Sequence, residues 1–345
     1  MCARNSQDVV LMKLLGVATL CACALAACGP TSPGTAPSPT SARSPSPVPS
    51  PTPKPSPTLA PPQRIEASLP APIEETGAAV AGGKLYVMGG FDAAGRSLAT
   101  VYFFDGSAWQ AGPGLPLAVD HPSAAGLDGS VYLSGGHSFG RDSARLVRLD
   151  GASWTELAPM RYARGGHALL AAQGKLFAIG GNTAGGNVAP AEVYDPATNA
   201  WTTLPSLPVP RNHVSGFVIG SHVCVAGGRA PTTARVDCFD TALAAWHQIA
   251  DLPRATSGAG ATSFMGGGVV MIGGQNAQET AIVDQLTRYL ATSGWSTGDA
   301  MLVPRHGFEL AVFQDRAWAC GGGTAPGLRP VATCTSVANP TPLRR

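Results

Sequence analysis

Charge is scarce in this chain. Only 13% of its 345 residues are Asp, Glu, Lys or Arg, and no amphipathic helical repeat stands out after residue 30, so long surface helices are excluded. The formal net charge is +2. Removing Arg4, Lys13 and Asp8 with the first residues leaves acid and base in near balance, so no electrostatic footprint for nucleic acid remains. The longest apolar run, residues 14–27, is too short to span a bilayer comfortably. After residue 62 no HxxxH or CxxC spacing occurs, so local spacing implies neither a metal nor a cofactor. What the chain has instead is 43 glycines and 31 prolines, the composition of short elements joined by many tight turns.

The N-terminal segment reads as an address. One basic residue, Lys13, follows Met12, the better candidate start, and the apolar run after it suits the core of a signal peptide over residues 1–27. That run ends Leu25-Ala26-Ala27-Cys28, which resembles the bacterial lipoprotein signal box. The resemblance implies cleavage before Cys28, acylation of that cysteine, and an exported chain anchored to a bacterial membrane, facing the periplasm or cell exterior. Residues 28–62 hold thirteen prolines and twelve serines or threonines, with only Arg43 and Lys54 charged. Such a segment builds no core; in polyproline II it reaches roughly 100 Å and serves as a stalk.

Residues 63–345 repeat. Glycine pairs follow short β-rich runs at Gly89-Gly90, Gly135-Gly136, Gly180-Gly181, Gly227-Gly228, Gly273-Gly274 and Gly321-Gly322, 45 to 48 residues apart. Asp105, Asp150, Asp195 and Asp240 keep the same phase at turns, and so do Trp109, Trp154, Trp201, Trp246 and Trp295. Glycine pair, turn aspartate and tryptophan at this spacing resemble the kelch repeat. The resemblance implies an all-β, six-bladed β-propeller with four-stranded antiparallel blades. The sixth unit supplies three strands and ends without a tryptophan, so the N-terminal segment over residues 64–70 is expected to close the last blade.

Four cysteines follow the anchor. Cys224 and Cys238 fall on strands b and c of the fourth unit, and Cys320 and Cys334 on the same strands of the sixth. Non-adjacent blades cannot bring cysteines within disulfide range, so the expected pairs are Cys224–Cys238 and Cys320–Cys334.

In an antiparallel blade the segment leading into strand a and the loop between strands b and c share one face of the ring. The lead-ins offer Glu74, Glu75, Asp120, His121, Arg164, His167, Arg211, His213, Arg254, Arg305 and His306; the loops offer Asp92, His137, Asn182, Arg229 and Gln275. Four arginines, Arg164, Arg211, Arg254 and Arg305, are expected at one mouth, where guanidinium forks suit an anionic or polyhydroxylated ligand. The functional expectation is a monomeric, non-catalytic module that binds protein or carbohydrate. The alternative is a carbohydrate-active enzyme, similar to a sialic acid mutarotase or to galactose oxidase, with Glu75, Asp120, His121 and His137 as acid–base candidates. Gly136-His137-Ser138-Phe139-Gly140 fits the GxSxG pattern, but a nucleophile elbow needs a helix after its strand.

Overall fold

A computed structural model describes residues 62–340. The signal-peptide, lipidation and stalk expectations therefore lie outside the described residues, apart from Pro62. The described chain is a six-bladed propeller built of antiparallel strands, without helices among the described residues. In blade 1 the strands a to d are Gly77–Ala81, Lys84–Met88, Val101–Phe104 and Trp109–Ala111, in that order from the channel outward. Blades 2 to 5 follow over residues 120–157, 165–206, 215–249 and 260–300. Blade 6 takes Leu310–Phe313, Arg316–Cys320 and Cys334–Ala338 as strands a to c, and Gln63–Glu66 from the other end of the sequence as strand d. The ring is thus closed by backbone pairing, as the unpaired edge of strand c requires.

The core lies between blades. Six clusters of buried side chains each join two neighbours: Leu85 and Phe104 of blade 1 meet Phe313 and Trp318 of blade 6, and Phe217 and Val236 of blade 4 meet Val269 and Met271 of blade 5. Four of the repeated tryptophans add a polar stitch. The indoles of Trp109, Trp154, Trp201 and Trp246 donate at 2.8–2.9 Å to carbonyls of Ala67, Pro113, Ala158 and Pro205 on the preceding blade. Each bond satisfies the polar edge of a ring whose apolar body packs at the blade boundary.

The glycine pairs make the matching stitch near the channel. In every blade both glycines have positive φ, about +60° to +71° for the first and +82° to +105° for the second. The second donates its N–H at 2.8–3.0 Å to the following blade, at Val119, Arg164, Arg211, Thr256, Arg305 and finally Ile73. A Cβ on the first glycine would come within 2.9 Å of that same carbonyl oxygen, so the blades can approach this closely only where no side chain intervenes. Both disulfides are present as cross-strand pairs, Cys224–Cys238 in blade 4 and Cys320–Cys334 in blade 6.

Candidate functional site at the channel mouth

The six carbonyls that accept from the glycine pairs mark one equivalent position per blade, and its side chain is packed inside the blade. Here the structure corrects the arginine expectation. Arg164, Arg211 and Arg305 occupy this position and are fully buried. Arg164 donates to the carbonyls of Gly180 and Pro190 and to Glu192 Oε2 at 2.9 Å; Arg211 donates to Gly227 and Val225 and to Asp237 Oδ2 at 2.9 Å. Arg305 donates to Gly321 and Thr333, and among the described residues no carboxylate reaches it. Burial without a counter-charge lowers its pKa to about 10. Arg254 stands two residues ahead of the equivalent Thr256, is exposed, and donates to Gln285. The four guanidinium groups therefore do not converge on the mouth.

Two residues further along, the chain turns toward the axis. This position holds Glu75, His121, Gly166, His213, Gly258 and Gly307 in blade order, and all six have φ between +50° and +68°. Their backbones link around the opening: His121 donates to Glu75, His213 to Gly166, Gly258 to His213, and Gly307 to Gly258, at 2.7–3.0 Å, and Glu75 donates to Gly307. This collar narrows the channel and aims three side chains across it. His121 Nε2 lies 3.5 Å from Glu75 Oε2, and the rings of His121 and His213 are 4.9 Å apart.

Neighbouring groups fix these three. His121 Nδ1 meets Asp120 Oδ1 at 2.7 Å, and Ser97 donates to the other oxygen of Asp120. Burial pulls the His121 pKa down, but Glu75 and Asp120 outweigh it and hold the imidazole above its ordinary value. His213 Nδ1 meets Asn212 Oδ1 at 2.6 Å, while Arg229 Nη2 lies 2.9 Å from its Nε2. Burial first, then the charges of His121 and Arg229, push His213 well below the usual range, so it is neutral. His137, near the end of the blade 2 strand Ser130–Ser138, meets His121 edge-on with centroids 5.6 Å apart and bonds Asp142.

Of the other sequence candidates, His167 turns away and is buried against Ser134 Oγ at 2.8 Å. His306 sits one residue short of the collar, bonded to the carbonyl of Gly323. Asp120, His121, His137, His213 and Glu75 are brought together. Glu74 is buried beside them, accepts from the Arg329 N–H, and is raised by burial to about 7.

Below the collar lies a cavity of about 450 Å³ lined by strand a of every blade, largely with Ala, Gly, Val and Leu. One residue that sequence reasoning missed crosses it. Glu309 of blade 6 reaches blades 1 and 2, accepting from the N–H groups of Ala78 (2.8 Å) and Ala124 (3.0 Å) and from the Ser123 hydroxyl. Burial raises its pKa to about 7 against these three donors. A lone glutamate before Leu310 carried no local signal; only ring closure places it opposite unpaired strand edges.

A family model described as the KLHDC2/KLHL20/DRC7 Kelch-repeats domain matches residues 60–228. Kelch-like protein terF of Aspergillus terreus is 25% identical over 295 residues, 77% of this chain and 63% of that protein. The comparisons support a kelch-repeat family. Human Kelch-like protein 34 is 34% identical over 194 residues, 51% of this chain and 30% of its own length. The chain thus spans from under a third to 63% of the length of these relatives. The solved structure of YjhT superposes with a TM-score of 0.68 at 17% identity, covering 80% of this chain and 97% of that one, which speaks for the fold alone.

Proposed function

We propose that the protein is a binding module whose ligand seats in the channel mouth, and that the ligand is a polyhydroxylated, carbohydrate-like molecule. The observation that carries this reading is the collar. Glu75, His121 and His213 arrive from three blades on left-handed backbone, a conformation that strains residues other than glycine, and they meet above a cavity. Carboxylate acceptors and imidazole and guanidinium donors suit alternating hydroxyls. Phe139, 79% exposed in the turn after the strand that carries His137, and Tyr162, 40% exposed ahead of Arg164, add aromatic faces for a sugar ring. A lipidated Cys28 would anchor the protein to a bacterial membrane. A glycan array with the full chain, followed by titration of the best glycan against Glu75→Gln and Arg229→Ala, tests the reading. Loss of binding in both variants supports it; binding that survives both places the ligand elsewhere, and capture of a protein with no glycan signal makes the partner a protein.

One observation favours a second, enzymatic reading. Asp120, His121 and Glu75 form a continuous acid–base chain across the mouth, with a buried Glu74 raised to about 7 beside it. Exchange between sugar anomers, followed by NMR in wild type and Glu75→Gln, decides this: catalysis lost in the variant supports an enzyme, and an uncatalysed rate in wild type removes it.

A further inference from the structure

We propose that Glu75, His121 and His213 form a metal site on the channel axis that takes a divalent first-row transition ion of the zinc class. Each residue presents one donor atom, and the three donors lie within 4.8 Å of one another. Two imidazoles and one carboxylate suit zinc-class ions better than the oxygen-seeking calcium or magnesium.

Three further features point the same way. Both imidazoles are oriented from behind. Nδ1 of His121 is held by Asp120 and Nδ1 of His213 by Asn212, which leaves Nε2 as the second ring nitrogen of each for an ion. A carboxylate or amide oxygen behind a histidine is the support that metal-binding imidazoles use to fix tautomer and ring direction. The backbone also singles these residues out. Of six equivalent collar positions, all left-handed, three are glycine and the other three are the three donors. Conformational strain is therefore retained where a side chain meets the axis. The glycines make room for two of the donors: a Cβ on Gly166 would lie 2.9 Å from His213 Nδ1, and one on Gly307 would lie 2.7 Å from Glu75 Oε1.

One group competes. Arg229 Nη2 rests 2.9 Å from His213 Nε2, where the ion would bind. Arg229 also holds Glu279 at 3.1 Å and Asn212 Oδ1 at 3.2 Å, so an arriving ion displaces one guanidinium contact and leaves the others as an anchor. Three protein donors leave coordination positions open toward the cavity and the outside, available to a hydroxyl or carboxylate of a ligand. The site shares the mouth with the binding reading above but does not require a sugar there.

The test strips the full chain with a chelator and titrates it with zinc chloride alone by calorimetry, and with cobalt chloride by visible absorption. One ion per chain is expected, with cobalt bands of a nitrogen–oxygen site. His121→Gly and His213→Gly should each weaken zinc binding by at least about tenfold. Glycine is what three of the six collar positions already carry, so thermal unfolding should confirm that these variants stay folded. Glu75→Gln should also weaken binding, and Arg229→Gln should tighten it. The edge-to-face surface pair His222 and His247, with ring centroids 4.9 Å apart on blade 4, provides the control. The inference is overturned if zinc does not saturate the protein below about 1 mM, a weak-binding limit, if both glycine variants keep wild-type affinity, or if His222→Ala with His247→Ala abolishes binding. Glycan binding that is indifferent to chelator, with no zinc uptake, removes the metal and keeps the binding reading; zinc uptake with no glycan bound does the reverse.

Discussion

Glu309 should make the propeller less stable as pH rises toward neutrality. Its carboxyl is raised from 4.5 to about 7 because burial in the channel opposes the charge more than Ala78, Ala124 and Ser123 favour it. An acid raised in the folded state keeps its proton while the unfolded chain has already released its own. Its contribution is therefore fully present below pH about 4.5 and lost as pH climbs through about 7. A shift of this size is worth about 3 kcal/mol at about 1.4 kcal/mol per pH unit. Glu309→Gln keeps the shape and can still accept from Ala78 and Ala124, but it does not titrate. Urea unfolding of wild type and variant at steps from pH 4 to 8 isolates this group, because all other titrations are shared. Wild type should lose about 3 kcal/mol relative to the variant between pH 4.5 and 7. Parallel stability curves across that window would refute the argument, and a wild type that gains on the variant would show that the three donors, not burial, dominate.

The buried pairs give a second expectation: Glu192→Gln should cost about 3–5 kcal/mol by leaving Arg164 uncompensated. Combined with Arg164→Val it should fall well short of the summed single losses, since blade 2 packs Val119 and Val147 at the equivalent places; additive losses in a double-mutant cycle would count against coupling. Thr333→Asp should supply the carboxylate that Arg305 lacks and Asp237 gives Arg211, raising stability by about 1.5 kcal/mol or more in chemical unfolding. Replacing Cys224 and Cys238 by alanine should cost about 3 kcal/mol for the closed loop of sequence separation 14, with no change in ligand or metal affinity at the mouth. Deleting residues 1–66 should lower the melting temperature and promote aggregation by exposing Cys334–Ala338 as an edge, whereas deleting residues 1–60 should leave melting unchanged.

The repeat was legible in the sequence because each blade is a local object. Glycine pair, turn aspartate and tryptophan recur at a fixed distance; the glycine pairs and four of the tryptophans each bond to a neighbouring blade while three of the aspartates cap their own turns, so the repeat and the kelch resemblance it carries implied six blades, cysteines paired within blades 4 and 6, and an N-terminal closing strand. The mouth was legible only as a set of lead-in residues, and it was there that tertiary structure decided. Arg164 and His121 come from lead-ins that look alike, yet a shift of two positions separates a side chain packed inside a blade from one aimed at the axis, and Arg254 lies a further two positions from its counterparts. Local spacing does not resolve such offsets; closing the ring does, because only then do the carbonyls that receive the glycine pairs fix which residue turns inward. Glu75, His121 and His213 are far apart along the chain, and Glu309 stands across the channel from the strands it caps. Distances across the channel are set by the number of blades and their closure, and no motif within one repeat encodes them.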